Sequence, residues 1–273
     1  MAWYVVVLIV LAALALLYVL LALPRLPRRA LGKLAGHDYA HRGLWNSERP
    51  ENSLPAFCAA VETGFGIELD VHLTTDNVLV VFHDDTLNRM CGVSGQPENC
   101  SLAQLRQLRL NGTDETIPTF DEVLDVVGGR VPLIVEIKAD KRLNELCAHT
   151  WQRLQAYDGP FCVESFHPLA VRWFRKHAPQ VIRGQLAYGL GFRRREGKKI
   201  TVLDVFLASL MGNVFGRPDF IAYDEGSDQN LPMGLMRRLR PTLVAWTVRS
   251  PERMAQLRAS YDLQIFEGFL PKR

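Results

Sequence analysis

Eight short apolar runs leave this chain few folds to choose from. They fall at Tyr39–Arg42, Ile67–Val71, Leu133–Lys138, Phe161–Phe166, Val181–Leu186, Phe220–Tyr223, Leu243–Val248 and Gln264–Gly268. Each has the length of a strand. Helix-like stretches separate most of them, at Pro55–Thr63, Phe120–Val127, Leu143–Tyr157, Pro168–His177, Met233–Leu239 and Pro251–Ala259. Eight strands alternating with helices over about 240 residues predict an α/β chain folded as a (β/α)8 barrel. A doubly wound sheet is the competing arrangement. It calls for a Gly-rich phosphate loop early in the chain, and none is present.

One stretch breaks this rhythm. In GIELDVHLTTDNVLVVFHDDTL, Gly66 to Leu87, only Thr74–Asn77 separates two apolar runs, too few residues for a parallel crossover. The chain must turn back as a hairpin, with Asp76-Asn77 as the turn residues. Folding about Asp76 sets position 70 opposite 82 and position 68 opposite 84, so His83 comes to lie beside Asp70 and Glu68. Glu68, Asp70 and His72 share one face of the first run, because side chains on a strand alternate. VPLIVEIK repeats the device with Glu136 and Lys138, and YAHRGLWN ends its strand on His41 and Arg42. In barrels of this type, functional groups stand at the carboxyl ends of the strands, above an apolar interior.

Carboxylates drawn into such a site need a cation, since burying an unpaired one costs several kcal/mol. Lys138 and Arg42 can neutralise Glu68, Asp70 and Glu136 as ion pairs. Alternatively, three carboxylates without a soft ligand describe a site for one hard divalent metal ion, Mg²⁺ or Ca²⁺.

The first residues are of a different material. Ala2–Leu23 contains 22 residues without a charge or a helix breaker, enough at ~1.5 Å each to cross a hydrocarbon core of ~30 Å. Trp3, Tyr4 and Tyr18 lie near its ends, as interfacial rings do. A cleaved signal peptide is the rival reading, but no Lys or Arg precedes the apolar run, and Ala13-Leu14-Ala15 lies inside it. Arg25, Arg28, Arg29 and Lys33 follow directly, so the positive-inside rule places the remainder in the cytoplasm, on a single-pass cell-membrane anchor. The expected organisation is an anchor at 1–23, a basic linker at 24–35 and a barrel at 36–273. The net charge of +3 is too small and too evenly spread to indicate a nucleic acid partner. Five cysteines without regular spacing do not form a disulfide framework, although Cys91 and Cys100 flank a loop across which they could pair.

The segments HRGLWNSERPENS, GFGIELDVHLTTDNVLVVFHDDTLNR and IPTFDEVLDVVGGRVPLIVEIK, in this order from His41 to Lys138, resemble the glycerophosphodiester phosphodiesterase family. The likeness continues more weakly through Ser165-Phe166 and Trp246–Val248. It implies a TIM barrel with a small insertion after the hairpin, here about Thr86–Ile117. It also implies His41 and His83 as the catalytic acid and base, and Glu68, Asp70 and Glu136 as ligands of one divalent metal ion. Arg42 and Lys138 would hold the substrate phosphate. Phe166 and Trp246 would wall a substrate pocket, with a plain core role equally open. His72 is expected to be structural or to support the site from outside it, while Glu51 and Asn52 match a family segment and could equally shape the turn before the helix capped by Ser53. His167 and His177 are expected at the surface. Two positions depart from the family pattern: Arg249 follows WTV where Asn is common, and Glu267 stands where Asp is common.

Three functions fit. A metal-dependent hydrolase would convert glycerophosphodiesters to glycerol 3-phosphate and an alcohol. A lysophospholipase D would act on a membrane lysophospholipid. A silent binding module would keep the barrel without chemistry, but the seven metal, histidine and phosphate positions all retain their chemistry. The partners expected are thus a small diester or lysophospholipid and the lipid bilayer. Finally, Arg193, Arg194, Arg195, Lys198 and Lys199 precede an apolar run, Val202–Phe215. This segment is either an outer barrel helix with a solvated charged loop, or a surface-lying segment that meets lipid beside the mouth.

Overall fold

The computed structural model describes residues 2–138 and 141–272. Met1 and Arg273, the outer limits of the expected anchor and barrel, lie outside the described residues. Nine strands form the sheet: β1 (Asp38–His41), β2 (Gly66–Leu73), β3 (Leu79–Val81), β4 (Leu133–Ile137), β5 (Phe161–Ser165), β6 (Arg183–Ala187), β7 (Phe220–Asp224), β8 (Thr242–Val248) and β9 (Leu263–Phe266). All but β3 run parallel, in the order β1-β9-β8-β7-β6-β5-β4-β2, and β1 pairs with β2 to close a TIM barrel. The expected strands are all present, with ends that differ by one or two residues.

The hairpin has the register expected of it. Val71 faces Val81 and His72 faces Val80, while the Phe82 amide donates to the Asp70 carbonyl at 3.0 Å. Asn77 takes φ 62° in the turn, a left-handed conformation that asparagine tolerates better than most residues.

Alternation along β2 serves two layers. Ile67, Leu69, Val71 and Leu73 point outward to helices Leu54–Thr63, Phe120–Val127 and Leu143–Leu154, where Phe57, Phe120 and Leu146 are buried. Inside the barrel, Tyr39, Ile134, Phe220, Val244 and Ile265 fill the amino-terminal half. Above them, toward the mouth, stand His41, Glu136 and Asp224, with Trp246 on β8. Segment 86–117 carries its own small core of Leu87, Met90, Leu105, Leu110 and Ile117, joined to Val80 and Phe82. No disulfide joins the described cysteines, so Cys91 and Cys100 do not bridge the loop.

Residues 192–216 do not form one outer helix. Three short helices replace it, Leu190–Arg195, Val202–Ala208 and Asn213–Gly216. Leu210 turns to φ 60°, and a Cβ on Gly212 would stand 2.7 Å from Pro168. The left-handed residue interrupts the helical run, and glycine at 212 admits the close approach.

The residues before the barrel form a helix, Trp3–Ala22, with Ala22 its buried residue. It is the one described helix long and apolar enough to cross a membrane. Its final carbonyls are met by Asn213 Nδ2, which donates to Ala22 at 2.7 Å, and by Arg217 Nη1, which donates to Leu20 and Leu23. The linker then crosses the amino ends of the strands. Arg25 pairs with Asp219 at 3.4 Å and Arg28 with Asp262 at 2.5 Å, while Arg29 donates to the carbonyls of Pro179 and Gln180.

Candidate active site

Strand register assembles the site. His41 on β1 lies level with Glu68 on β2, and Asp70 is level with Glu136, which is level with Glu164 on β5. Side chains at one level of neighbouring parallel strands point the same way. Four carboxylates therefore line one arc of the inner wall, all at most 7% exposed. One oxygen from each of Glu68, Asp70 and Glu136 can be chosen so that all three lie within 4.8 Å of one another, a spacing that can hold a metal ion.

Neighbouring side chains fix these groups. Lys138 Nζ is 2.9 Å from Asp70 Oδ1 and 2.9 Å from Glu136 Oε1. Asn52 Nδ2 donates to Asp70 Oδ2 at 2.9 Å, and the Arg42 amide donates to Glu68 Oε2 at 3.0 Å. The Arg42 guanidinium binds Glu51 at 2.7 Å, with its Nε 3.9 Å from Asp70. Glu51 also takes two bonds from Arg89. The HRG turn makes this possible: Arg42 and Gly43 both have positive φ, and a Cβ on Gly43 would press within 3.0 Å of the Ala56 backbone and the Phe57 ring. Only glycine tolerates that approach.

Both expected histidines reach the cluster, and each has its own carboxylate. His41 Nδ1 is 2.5 Å from Glu267 Oε2, and its Nε2 is 3.9 Å from Glu68. His83 Nδ1 is 2.8 Å from Asp84 Oδ1, and Arg89 grips the same Asp84. A carboxylate at Nδ1 sets the ring's tautomer and leaves Nε2 for chemistry. The two departures from the family pattern meet here, because Arg249 Nε donates to Glu267 Oε1 at 2.9 Å. Burial and the nearby Arg42 push His41 down to about 4. Burial also lowers His83. Against the cost of its own burial, the bond to His41 holds Glu267 down at about 2.

The electrostatics of the arc are unbalanced. Burial raises Glu68 well above the carboxylate range, reinforced by Asp70, Glu136 and Glu164. Burial takes Glu136 to about 7, although Lys138 opposes the rise. Glu164 is driven up by burial and by Glu136 and Asp70. Asp70 alone moves the other way; despite burial, Lys138, His83 and Arg42 keep it ionised. Lys138 and Arg42 thus form the ion pairs that sequence admits, yet they leave Glu68 and Glu164 without the charge they need. A divalent cation among hard oxygen ligands supplies it and reverses the shifts. The residues fit such an ion.

The opposite wall is aromatic. Phe166 meets Trp246 edge-on at 5.5 Å, Trp246 meets Phe192 at 5.7 Å, and Phe192 stacks on Tyr188 at 4.9 Å. These rings and the charged arc enclose a cavity of about 500 Å³. Phe166 and Trp246 line it while also packing on the inner core, so the two expected roles coexist. Part of the basic run turns inward: Arg193 pairs with Asp204 at 3.1 Å and Arg195 with Asp224 at 2.7 Å. His72 stays out of the carboxylate cluster and binds Glu98 of the insertion. His177 lies at the surface, and His167, half-buried, caps the helix Pro168–His177.

Sequence reasoning missed Glu164, and left Glu51 and Asn52 open between a family match and a turn. Strand alternation carried a signal for the first: Phe161–Ser165 is FCVES, which places Glu164 on the inner face with Cys162.

The fold and site define a barrel with a carboxylate arc and two carboxylate-backed histidines at its mouth. The sequence profile of the Glycerophosphoryl diester phosphodiesterase family matches residues 41–261, and this chain belongs to that family. It is 39% identical over 164 residues to a glycerophosphodiester phosphodiesterase of Caldanaerobacter subterraneus subsp. tengcongensis, covering 54% of this chain and 65% of that protein. A Bacillus altitudinis glycerophosphodiester phosphodiesterase is 31% identical over 156 residues, covering 52% and 63%. The chain thus spans less than two thirds of the length of these relatives. Among solved structures, an Oleispira antarctica phosphodiesterase in complex with the product sn-glycerol-3-phosphate superposes with a TM-score of 0.71 at 22% identity, over 87% of this chain and 95% of that one. A Thermotoga maritima glycerophosphodiester phosphodiesterase gives 0.64 at 23%, over 84% and 94%. At such identities these two likenesses show the fold alone.

Proposed function

We propose that this chain hydrolyses glycerophosphodiesters to glycerol 3-phosphate and an alcohol. The observation that carries the reading is the Glu68–Asp70–Glu136 cluster set between two histidines, each tied to its own carboxylate. In this reading the three carboxylates hold one divalent ion, Mg²⁺ or Ca²⁺. Bound there, such an ion polarises a phosphoryl oxygen and stabilises charge that develops on it. Lys138 and Arg42, already beside the cluster, bind the remaining phosphoryl oxygens. One histidine takes the proton of the attacking hydroxyl and the other protonates the leaving alcohol as its P–O bond breaks; the attacker is water, or the substrate's glycerol 2-hydroxyl, in which case water then opens the cyclic phosphate to glycerol 3-phosphate. Glu267 and Asp84 hold the two rings in position for this exchange. Phe166 and Trp246 exclude water from the leaving-group side.

A lysophospholipid is the second substrate reading, favoured by the apolar helix Trp3–Ala22. In that reading the helix is a single-pass anchor, and the arginines after it place the barrel in the cytoplasm. Purified full-length protein should be assayed with defined metal ions on choline and ethanolamine glycerophosphodiesters, beside lysophospholipids of the same head groups. Release of the head-group alcohol that depends on added Mg²⁺ or Ca²⁺ is expected. Activity undiminished after exhaustive chelation overturns the metal assignment, and no turnover of either class overturns the enzyme. Lysophospholipid turnover alone moves the substrate to the second reading.

A further inference from the structure

The helix Trp3–Ala22 meets the barrel in a definite direction. Tyr18 donates to the Ser209 carbonyl at 3.1 Å, Ala22 accepts from Asn213, and the Arg25 amide donates to Pro218 at 2.9 Å. Positions 18 to 25 thus follow positions 209 to 218 step for step. The course of that second segment is fixed by the helix Pro168–His177. Gly212 abuts Pro168, at the first turn after β5, and Gly216 abuts Val171. Arg175 reaches the carbonyls of Val214 and Phe215. Pro168 follows the carboxyl end of β5, and Asp219 precedes the amino end of β7. The N-terminal helix therefore descends from the mouth side of the barrel to its base. Its free residues, Trp3 to Leu17, project on the mouth side, reaching ~22 Å past Tyr18.

A second observation is independent of that helix. Ten other large apolar side chains among the described residues are exposed, and seven of them lie in loops or first helical turns that leave the carboxyl ends of the parallel strands. Val202 is 87% exposed, Leu231 79%, Leu203 63% and Leu270 59%. Solitary exposed apolar residues need no explanation, but their gathering on one face does. Arg194, Lys198 and Lys199 are exposed beside Val202 and Leu203. Basic residues next to apolar side chains match a surface of anionic headgroups over acyl chains.

We propose that the mouth face of the barrel seats on a lipid bilayer containing anionic lipid, with the Lys198–Val205 segment in the headgroup region beside the active site. The occupant follows from continuity, since the most apolar helix of the chain leaves from the same face. Geometry adds a constraint. With its last turn docked on protein, the helix has only ~22 Å free against a core of ~30 Å. A barrel held clear of the membrane would leave it too short. Spanning draws the rim down into the interface. The cavity would then open toward lipid headgroups.

The inference rests on the anchoring reading given above, and the test separates the two. Full-length protein is reconstituted in phosphatidylcholine vesicles with and without phosphatidylglycerol. One environment-sensitive fluorophore is placed, through an unnatural amino acid, at Leu8, Leu203, Leu231 or Ser260, the last at the barrel base. Nitroxide-bearing lipids should quench Leu8, Leu203 and Leu231 but leave Ser260 bright, with the rim signals stronger when phosphatidylglycerol is present. In V202E/K198E/K199E, Leu231 quenching should drop severalfold while Leu8 quenching persists. Quenching at Leu8 with unquenched rim positions, or with Ser260 quenched instead, overturns the orientation while anchoring stands; the apolar rim then belongs to a protein partner. No quenching at Leu8 overturns anchoring and the orientation with it.

Discussion

On the β1–β4 side of the mouth, Glu68, Asp70, Glu136 and Lys138 are almost wholly removed from water, and each touches another charged or polar group. On the β5–β8 side, Phe166, Tyr188, Phe192 and Trp246 touch mainly one another. The first wall is an electrostatic device in which no member can change without stranding its partners. The second is a shaped apolar surface in which contacts are individually replaceable. Chemistry and selectivity are therefore expected to separate by side, and substitutions should show it.

The largest effect belongs to the charged arc. Asp70→Asn or Glu136→Gln should lower kcat by about 10³-fold, the several kcal/mol a metal ion supplies, with metal affinity by calorimetry falling in parallel. In the metal-free protein Asp70→Asn should cost stability, because it strands the buried Lys138, whereas Glu136→Gln should not. The Glu136 carboxyl is raised from 4.5 to about 7, so folding favours its protonated form. That contribution is fully present below pH 4.5 and is lost as pH rises through 7. The lowered His41 and His83 act with the opposite sign over part of this range, so the comparison is with the variant. Between pH 5.5 and pH 7.5 metal-free wild-type protein should lose melting temperature relative to Glu136→Gln, and saturating metal should reverse the difference. Parallel melting curves for the two proteins would falsify the charge imbalance.

Next come the histidines. His41→Ala and His83→Ala should each cost at least about 10²-fold in kcat. A nitrophenyl leaving group, which needs no protonation, should restore much of the loss in one variant only, and that variant identifies the acid. Equal restoration of both variants is inconsistent with a divided acid–base pair. The supporting carboxylate ranks below. Glu267→Gln keeps a hydrogen-bond acceptor for His41 but removes the charge that raises its affinity for a proton. We expect a loss of about tenfold in kcat, as when a carboxylate that orients a functional histidine is removed, with whichever limb of the kcat/KM profile His41 governs displaced to lower pH. A displacement to higher pH contradicts the assigned contact.

The same division governs what the sequence made legible. His41, Glu68, Asp70, His83, Glu136 and Lys138 lie on three strands and a hairpin whose alternation and turn chemistry are local, so position and facing follow from spacing alone. The Asp70–Phe82 register is fixed by one short turn. Glu164 escaped because its neighbours on FCVES carry no motif, although the period-two pattern was there. Tyr188 and Phe192 follow β6, Phe192 at the start of a segment whose basic run reads as a solvated loop, and no local rule brings them to Trp246, 54 residues beyond Phe192. Glu51 and Asn52 fit a family segment and a turn equally well, and Asn52 does hold φ 55°. Their bonds to Arg42 and Asp70 depend on how β1 and β2 close the barrel. Contacts set by closure are beyond a reading of neighbours in sequence.

The smallest expected effect is also the one that most sharpens the contrast between walls. Trp246 packs against the inner core and against Phe166 and Phe192, so Trp246→Ala would confound pocket loss with a cavity in the barrel. Trp246→Leu keeps apolar volume and removes the flat ring, leaving His41, His83 and the carboxylates undisturbed. If the aromatic wall only binds, KM for the substrate whose leaving group lies against it should rise about tenfold, within the ~1–3 kcal/mol that a few methylenes of apolar contact supply, while kcat holds within about twofold. Phe166→Leu should act likewise, and the double substitution should fall short of additivity because the two rings touch. Run on glycerophosphodiesters and lysophospholipids in parallel, the pair of variants reports which substrate uses the wall. Equal rises in KM for both mean that the ring touches the shared phosphoglycerol portion. A selective rise for one class assigns the aromatic side to that class. A large fall in kcat with KM unchanged would break the comparison, because the aromatic wall would then be acting on the transition state alongside the charged one.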